Sequence, residues 1–307
     1  MKNVLVVYFS QSGQLLDISK NIVQDLEKDD EVSVNYYEIK LKESFPFPWN
    51  RKDFYNAFPE SFLQIPSALD DVENTLLQKK YDLIIFGYQV WYLTPSIPIN
   101  SFLKSDIAKK LMNDTPIVTV IGCRNMWIMA QEKVKKLLVQ NKANLVGHIA
   151  LVDRSINHIS VITIVQWMFT GVKKSYLGIF PKPGVSDEDI ENSKCFGNPI
   201  LKALKSTDFS NLQEDLLAKK AVKIKPFLLT VDKRANMLFG KWANLIIKKG
   251  DKNSSKRYFW IKLFNFYLVF AIWIIAPLVF IVYLLTYPLL FRKIKRDIKY
   301  YSSVKTK

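Results

Sequence analysis

Five short runs rich in valine, isoleucine and leucine alternate with helix-like stretches over the first 152 residues. The runs cover residues 4–8, 32–39, 83–87, 117–122 and 145–152. The central ones lack polar alternation, as strands covered on both faces do. The stretches 13–27, 68–79, 99–112 and 126–140 read as helices, and in the last of them Val134, Leu137 and Leu138 mark one apolar face. Strand–helix repeats of this length call for a parallel sheet with crossover helices on both faces. Their count and spacing fit an α/β, doubly wound five-stranded sheet of order 2-1-3-4-5. In such sheets ligands sit beyond the C-terminal strand ends. The loop after each strand is therefore a candidate site.

Other segments extend this plan. A Ser-Asp-Glu-Asp sequence from Ser186 is an N-cap followed by first-turn acids, and Gly197 and Pro199 are expected to end that helix. Residues 45–66 are rich in aromatics and prolines, too apolar for a solvated linker. Residues 154–183 form an insertion after the fifth strand, with an apolar stretch at 159–169 too short to span a bilayer. Both could line an apolar pocket. Residues 226–247 mix large apolar side chains with lysines and read as an interfacial amphipathic helix. The expected division is 1–203 for the α/β domain, 204–257 for a basic linker, and 258–307 for an apolar segment with a basic tail.

Charge separates along the chain in the same way. The formal net charge is +16, and residues 248–307 contribute 13 Lys and Arg against 2 acids. The excess thus belongs to the C-terminal part, and no nucleic-acid motif accompanies it. Residues 264–291 contain no charge, which exceeds the roughly 20 apolar residues a span needs. Basic residues flank both sides, so charge bias does not orient it. A tilted single span and a re-entrant wedge kinked at Pro277 both satisfy the pattern. Cys123 and Cys195 are the only cysteines, in no metal-like spacing, and a reducing compartment is expected.

Three post-strand loops carry chemistry. Ser10-Gln11-Ser12-Gly13-Gln14 offers hydroxyls, backbone N–H groups and a helix N-terminus, a combination that can ring a monophosphate. It lacks the lysine of a Walker loop and the glycines of a dinucleotide fingerprint. After the third strand, Trp91, Tyr92 and Thr94 lie on a Pro-bounded turn, where aromatic rings can stack on a planar group. After the fourth, Gly122 allows close backbone approach, Arg124, Asn125 and Met126 can bond a ring edge, and Cys123 is a small thiol. Asp153 and His158 follow the fifth strand and are the candidates for proton transfer, whereas His148 does not follow a strand end.

These loops resemble those of the flavodoxin-like FMN proteins, including their quinone-reductase branch. The family's phosphate pattern is met at Ser10, Ser12 and Gly13, and the chain departs from it at Leu15, where a hydroxyl is usual. The stretch VWYLTPSIPI resembles the branch's flavin loop. Taken with FPFPW, FPESFLQIP, GCRNMWIMAQEKVKKLL and GIFPKPGVS, the chain resembles the dialkylresorcinol condensing enzyme family of flexirubin and aryl-polyene pigment clusters. The resemblance implies FMN, bound by the residues named above. It implies an oxidoreductase that aromatises a 2,5-dialkylcyclohexane-1,3-dione to a dialkylresorcinol beside a ketosynthase partner, the flavin accepting a hydride. It further implies a lipid-like dialkyl substrate, no nucleic acid, and a soluble domain on the cytoplasmic face of the inner membrane. A membrane-bound NAD(P)H:quinone reductase and a non-enzymatic electron carrier or scaffold are the rival readings.

Overall fold

The computed structural model describes residues 1–306. Its central sheet holds five parallel strands: β1 (Lys2–Tyr8), β2 (Val32–Glu38), β3 (Leu83–Tyr88), β6 (Pro116–Cys123) and β7 (Asn144–Val152). Their order is β2-β1-β3-β6-β7, the flavodoxin-like order 2-1-3-4-5 when these five alone are counted. A two-residue hairpin pair, β4 (Val90–Trp91) and β5 (Thr94–Pro95), projects beyond the end of β3.

Alternation along each strand splits the core in two. Val4, Val6, Leu83, Ile85, Val118 and Val120 face α1 (Gln14–Glu27), together with the α9–α10 region (Asp187–Asn192, Gly197–Ser206) and α11 (Leu212–Ala218). Leu5, Val7, Ile84, Phe86, Ile117 and Ile121 face the opposite layer. That layer is built from α5 (Ile97–Leu103), α6 (Asp106–Met112) and α7 (Ile128–Gln140). Both faces are apolar because both are covered.

Three helix boundaries differ from the sequence expectation. Residues 68–73 are not helical: Lys42 N–H donates to Ala68 O and Asp70 N–H to Lys40 O, so this stretch pairs with the chain after β2, leaving only α4 (Asn74–Gln78). The expected helix 99–112 is two helices, broken at Lys104 because Ser105 caps the second by accepting from Ala108 N–H. Gly197 begins α10 rather than ending its predecessor. A Cβ there would lie 2.7 Å from Ile22 O, so glycine lets α10 approach α1. Pro199 falls in the first turn, where its missing N–H costs nothing.

The aromatic segment forms α2 (Arg51–Asn56) and α3 (Phe58–Phe62), and the insertion forms α8 (Asn157–Thr170). The amphipathic stretch is α12 (Pro226–Ile247), which packs on α3 and α7. Next come α13 (Ser255–Phe270), a widened turn at Ala271–Ile275, and α14 (Ala276–Tyr301). Together they form one helical stretch of 47 residues, long and apolar enough to cross a membrane.

This stretch is docked at both ends. At its start Arg257, 1% exposed, donates to Asn56 Oδ1 (3.1 Å), Asn56 O (2.9 Å) and Glu60 Oε2 (2.6 Å). At its end Asp297 pairs with Lys233 at 2.6 Å and Tyr300 OH donates to Glu132 at 2.9 Å. A straight helix would hold residues 264 and 297 about 50 Å apart. Yet the Phe264 ring lies 5.4 Å from that of Phe239, and Phe239 and the Asp297 partner Lys233 are neighbours on α12, only about 9 Å apart along its axis. The axis therefore bends strongly. The bend has a chemical cause. Ala276 N–H donates to Ala271 O in the widened turn, and Pro277 has no N–H to give Ile272 O. His158 Nε2 donates to that carbonyl instead, at 3.0 Å.

Candidate functional site

The loops after β1, β3 and β6 meet around a cavity of about 340 Å³. That volume falls in the range of small-molecule sites. At one end lies the loop before α1. Gly13 has φ +82°, and no side chain caps α1, so its first N–H groups are left without a side-chain partner, although the exposed Asp17 in the first turn offsets part of the helix dipole. Ser10 Oγ is buried with no hydrogen-bond partner. An orphaned hydroxyl beside an uncapped helix N-terminus is the chemistry of an anion site.

The two glutamines of this loop have structural duties. Gln11 donates to Pro46 O (3.3 Å) and accepts from Trp49 Nε1 (3.2 Å). Gln14 grips Val185, donating to its carbonyl and accepting from its N–H at 3.1 Å. The loop thus offers an anion its hydroxyls and backbone, with both amide side chains spent on the walls. Leu15, at the position where a hydroxyl was expected, is buried in the core against α1's neighbours and reaches the cavity edge.

The second wall is the β4–β5 hairpin. Tyr92 (φ 48°) and Leu93 (φ 63°) both adopt left-handed backbone at the turn, which bulky residues resist. Two contacts hold it: Tyr92 OH donates to Phe54 O, and Asn236 Nδ2 donates to Leu93 O at 3.1 Å. Trp91 packs edge-on against Phe9, Phe45 and Trp49. Thr94 is fully buried and does not line the cavity; its Oγ1 accepts from Lys133 Nζ at 3.2 Å. Burial pulls the Lys133 ammonium down to about 8.

The third wall is the loop after β6. Cys123, Arg124 and Met126 line the cavity, while Asn125 turns away to donate to Asn157 Oδ1 at 3.1 Å. Gly122 is required by α1: a Cβ would lie 2.8 Å from Ile18 Cδ1. Burial pushes the Cys123 thiol far up, which makes it a protonated lining group. Arg124 makes no salt bridge among the described residues, and burial pulls it down to about 10. It is a cation facing the cavity.

Asp153 and His158 do not line the cavity. Asp153 is buried and accepts from Ser155 N–H (2.8 Å) and Ser160 Oγ (2.7 Å), which fixes the start of α8. His158 ties α8 to the Ile272 carbonyl and packs on Trp273. His148 lies in the core, where Thr119 Oγ1 bonds its Nδ1 at 2.8 Å and burial pulls it down to about 3.

The remaining walls escaped a loop-by-loop reading. Trp49 and Phe54 come from the aromatic segment, Val161, Ile164, Val165 and Met168 from one face of α8, Leu268 from α13 and Ile272 from the widened turn that follows it. Trp49 N–H donates to Met168 O at 2.8 Å and joins two of these walls. The only advance signal was the apolar character of residues 45–66 and 159–169.

No family model matches the chain, and no curated protein matches it. Solved structures do. A flavoprotein from Lactobacillus acidophilus in complex with FMN is 18% identical, covers 49% of this chain and 93% of its own, and has a TM-score of 0.36. Oxidised flavodoxin 1 from Bacillus cereus is 13% identical, with 66% and 98% covered and a TM-score of 0.37. A flavodoxin from the domain Archaea is 14% identical, with 66% and 99% covered and a TM-score of 0.38. These likenesses are partial, and the fold rests on the strand order itself.

Proposed function

We propose that the chain is a membrane-associated FMN-dependent oxidoreductase. Its reaction is aromatisation of a 2,5-dialkylcyclohexane-1,3-dione to a dialkylresorcinol, beside a ketosynthase partner. The observation that carries the reading is one cavity with an anion site at one end, aromatic walls in the middle and an apolar helix along one side. FMN has a matching shape: one phosphate, one planar ring. Ser10 Oγ and the first-turn N–H groups of α1 fit its phosphate, with Ser12 and Gly13 shaping the loop. Trp91, Tyr92 and Met126 fit the ring. Bound there, FMN supplies a two-electron acceptor.

The chain's own residues do the rest. A cyclic 1,3-dione is acidic and enters as its enolate, and Arg124 is the cation that meets that charge. Loss of one hydride from that enolate leaves a neutral cyclohexenedione, and a shift of its ring protons to the two oxygens yields the resorcinol with no further proton lost. The apolar residues of α8 and α13 exclude water and take the alkyl chains, each buried methylene contributing about 0.8 kcal/mol. Asp153 and His158 act as positioning residues, holding α8 and α13 at the cavity.

The test is the absorbance spectrum of the purified chain, with release of FMN on denaturation. Colourless protein that stays apo when FMN is added refutes the reading. Gly13→Val should abolish bound flavin. No atom lies within 4 Å of the added Cβ, so the effect comes from the positive φ, and Gly13→Asn, which tolerates that backbone, should retain flavin. Turnover of a synthetic cyclohexanedione under air without NAD(P)H separates this reaction from quinone reduction.

A further inference from the structure

We infer that residues 264–291 are embedded in one leaflet of an anionic phospholipid bilayer, and that the cavity opens into that leaflet between α8 and α13. The first support is the return of the helix. Its two ends are docked on the same domain, by Arg257 on Glu60 and by Asp297 on Lys233, with the bend between them. A helix crossing the bilayer must carry one end about 30 Å or more away from the other side. Here the uncharged arms on either side of the widened turn are residues 264–270 and 276–291, about 10 Å and about 24 Å long. They can enter one leaflet and come back.

The second support is the surface. The outer face exposes Phe266, Val269, Ile274, Leu278, Leu285 (75%) and Leu289 (86%), with no charged residue between 264 and 291. Soluble surfaces do not carry apolar patches of this extent. The rim is basic on both flanks: Lys248, Lys252 and Lys256 before it, Arg292, Lys293 and Arg296 after it, all exposed. Because the ends return, both flanks sit on the same side of the bilayer, where anionic headgroups complement them. The Ile272 carbonyl that Pro277 orphans would be costly in hydrocarbon, and His158 satisfies it from the domain side.

The third support is the cavity wall. Leu268 of α13 and Ile272 of the widened turn line the cavity together with Val161, Ile164, Val165 and Met168 of α8. Spacings of four on one helix, and of three, four and seven on the other, place each set on a single stripe. Val165 is exposed as well as lining, so the rim between the stripes is apolar and open. A lipid-phase ligand reaches the site laterally without crossing water. The seating in one leaflet is independent of the proposed reaction; the identity of the entering ligand rests on it.

The full chain, reconstituted into sealed vesicles containing phosphatidylglycerol, tests both parts. Cys195 is exposed on the soluble domain and reports its side. In a Thr306→Cys variant, a membrane-impermeant maleimide should label both positions from the same side, read by peptide mass spectrometry. Labelling of residue 306 only after detergent means a span and overturns the inference, whether or not flavin is bound. For the opening, 5-pentadecylresorcinol placed in the chain's own vesicles should reach the cavity, read by tryptophan quenching, at least tenfold faster than the same amount placed in separate vesicles. Equal rates mean entry through water and overturn lateral entry.

Discussion

Replacing Asp232 by asparagine should stabilise the chain relative to wild type as pH rises from about 4.5 to 7.5. Asp232 sits on α12, 1% exposed, and caps α7 from outside: Met129 N–H donates to its Oδ2 at 3.2 Å, where Trp127 supplies no side-chain cap. Its Oδ1 has no partner. Burial pushes its carboxyl from the ordinary 3.8 up to about 7, against the opposing pull of the Met129 and Ile128 N–H groups and Lys133. Below about pH 3.8 the group is protonated folded and unfolded, and costs nothing. Between about 4 and 7 the unfolded chain releases the proton while the folded chain keeps it. Wild-type stability therefore falls by about 1.4 kcal/mol per unit, about 4 kcal/mol in all. Asparagine does not titrate, and its Oδ1 can still accept from Met129 N–H. The new amide donor adds a fixed cost of about 1–3 kcal/mol that does not depend on pH. The diagnostic quantity is thus the slope of the difference between variant and wild type, measured by urea unfolding in detergent at several pH values. A flat difference, or one that falls as pH rises, refutes the buried-carboxylate account.

Three further outcomes follow from particular contacts. Gly184→Ala should cost about 2 kcal/mol or more and loosen the cavity, since its Cβ would lie 2.7 Å from Trp167 and 3.0 Å from Gln14 at a φ of +80°; melting temperature and tryptophan fluorescence read it. Arg257→Ala should cost about 3–5 kcal/mol by leaving the Glu60 carboxylate buried without its partner, and should expose the 248–254 turn to protease. Arg124→Met should lower turnover of a cyclohexanedione at least tenfold with flavin content unchanged, because it removes a cation that lines the cavity and is held there by the Asn157 carbonyl at 3.4 Å; equal loss of flavin would assign Arg124 to cofactor retention instead.

The five sheet strands were legible because doubly covered strands must be continuously apolar, and only a few short runs in residues 1–152 satisfy that. The order followed, since parallel strands joined by helices have few unknotted arrangements. The position of Ser10 to Gly13 between the end of β1 and the start of α1 was legible too. Helix 226–247 matched α12 residue for residue, because Pro226 at its start and a continuous apolar periodicity are local signals. The expected helix 68–79 is shortened because its propensity loses to backbone pairing with residues 40–42, a partner 26 or more residues away.

Side-chain destinations were not legible. Position relative to a strand recommended Asp153 and His158 for chemistry, but packing gave one to Ser160 and the other to Ile272. Nothing local marks Asp232 as a cap for α7 across 103 residues. The clearest division lies in the apolar segment. Its length, its lack of charge and the proline at 277 are properties of the chain alone, and they give a helix long and apolar enough to cross a membrane, with a weak point at the proline. Whether that helix crosses or returns depends on where its ends are held. Arg257 on Glu60 and Asp297 on Lys233 hold them to one domain, and those are tertiary contacts that local composition cannot encode.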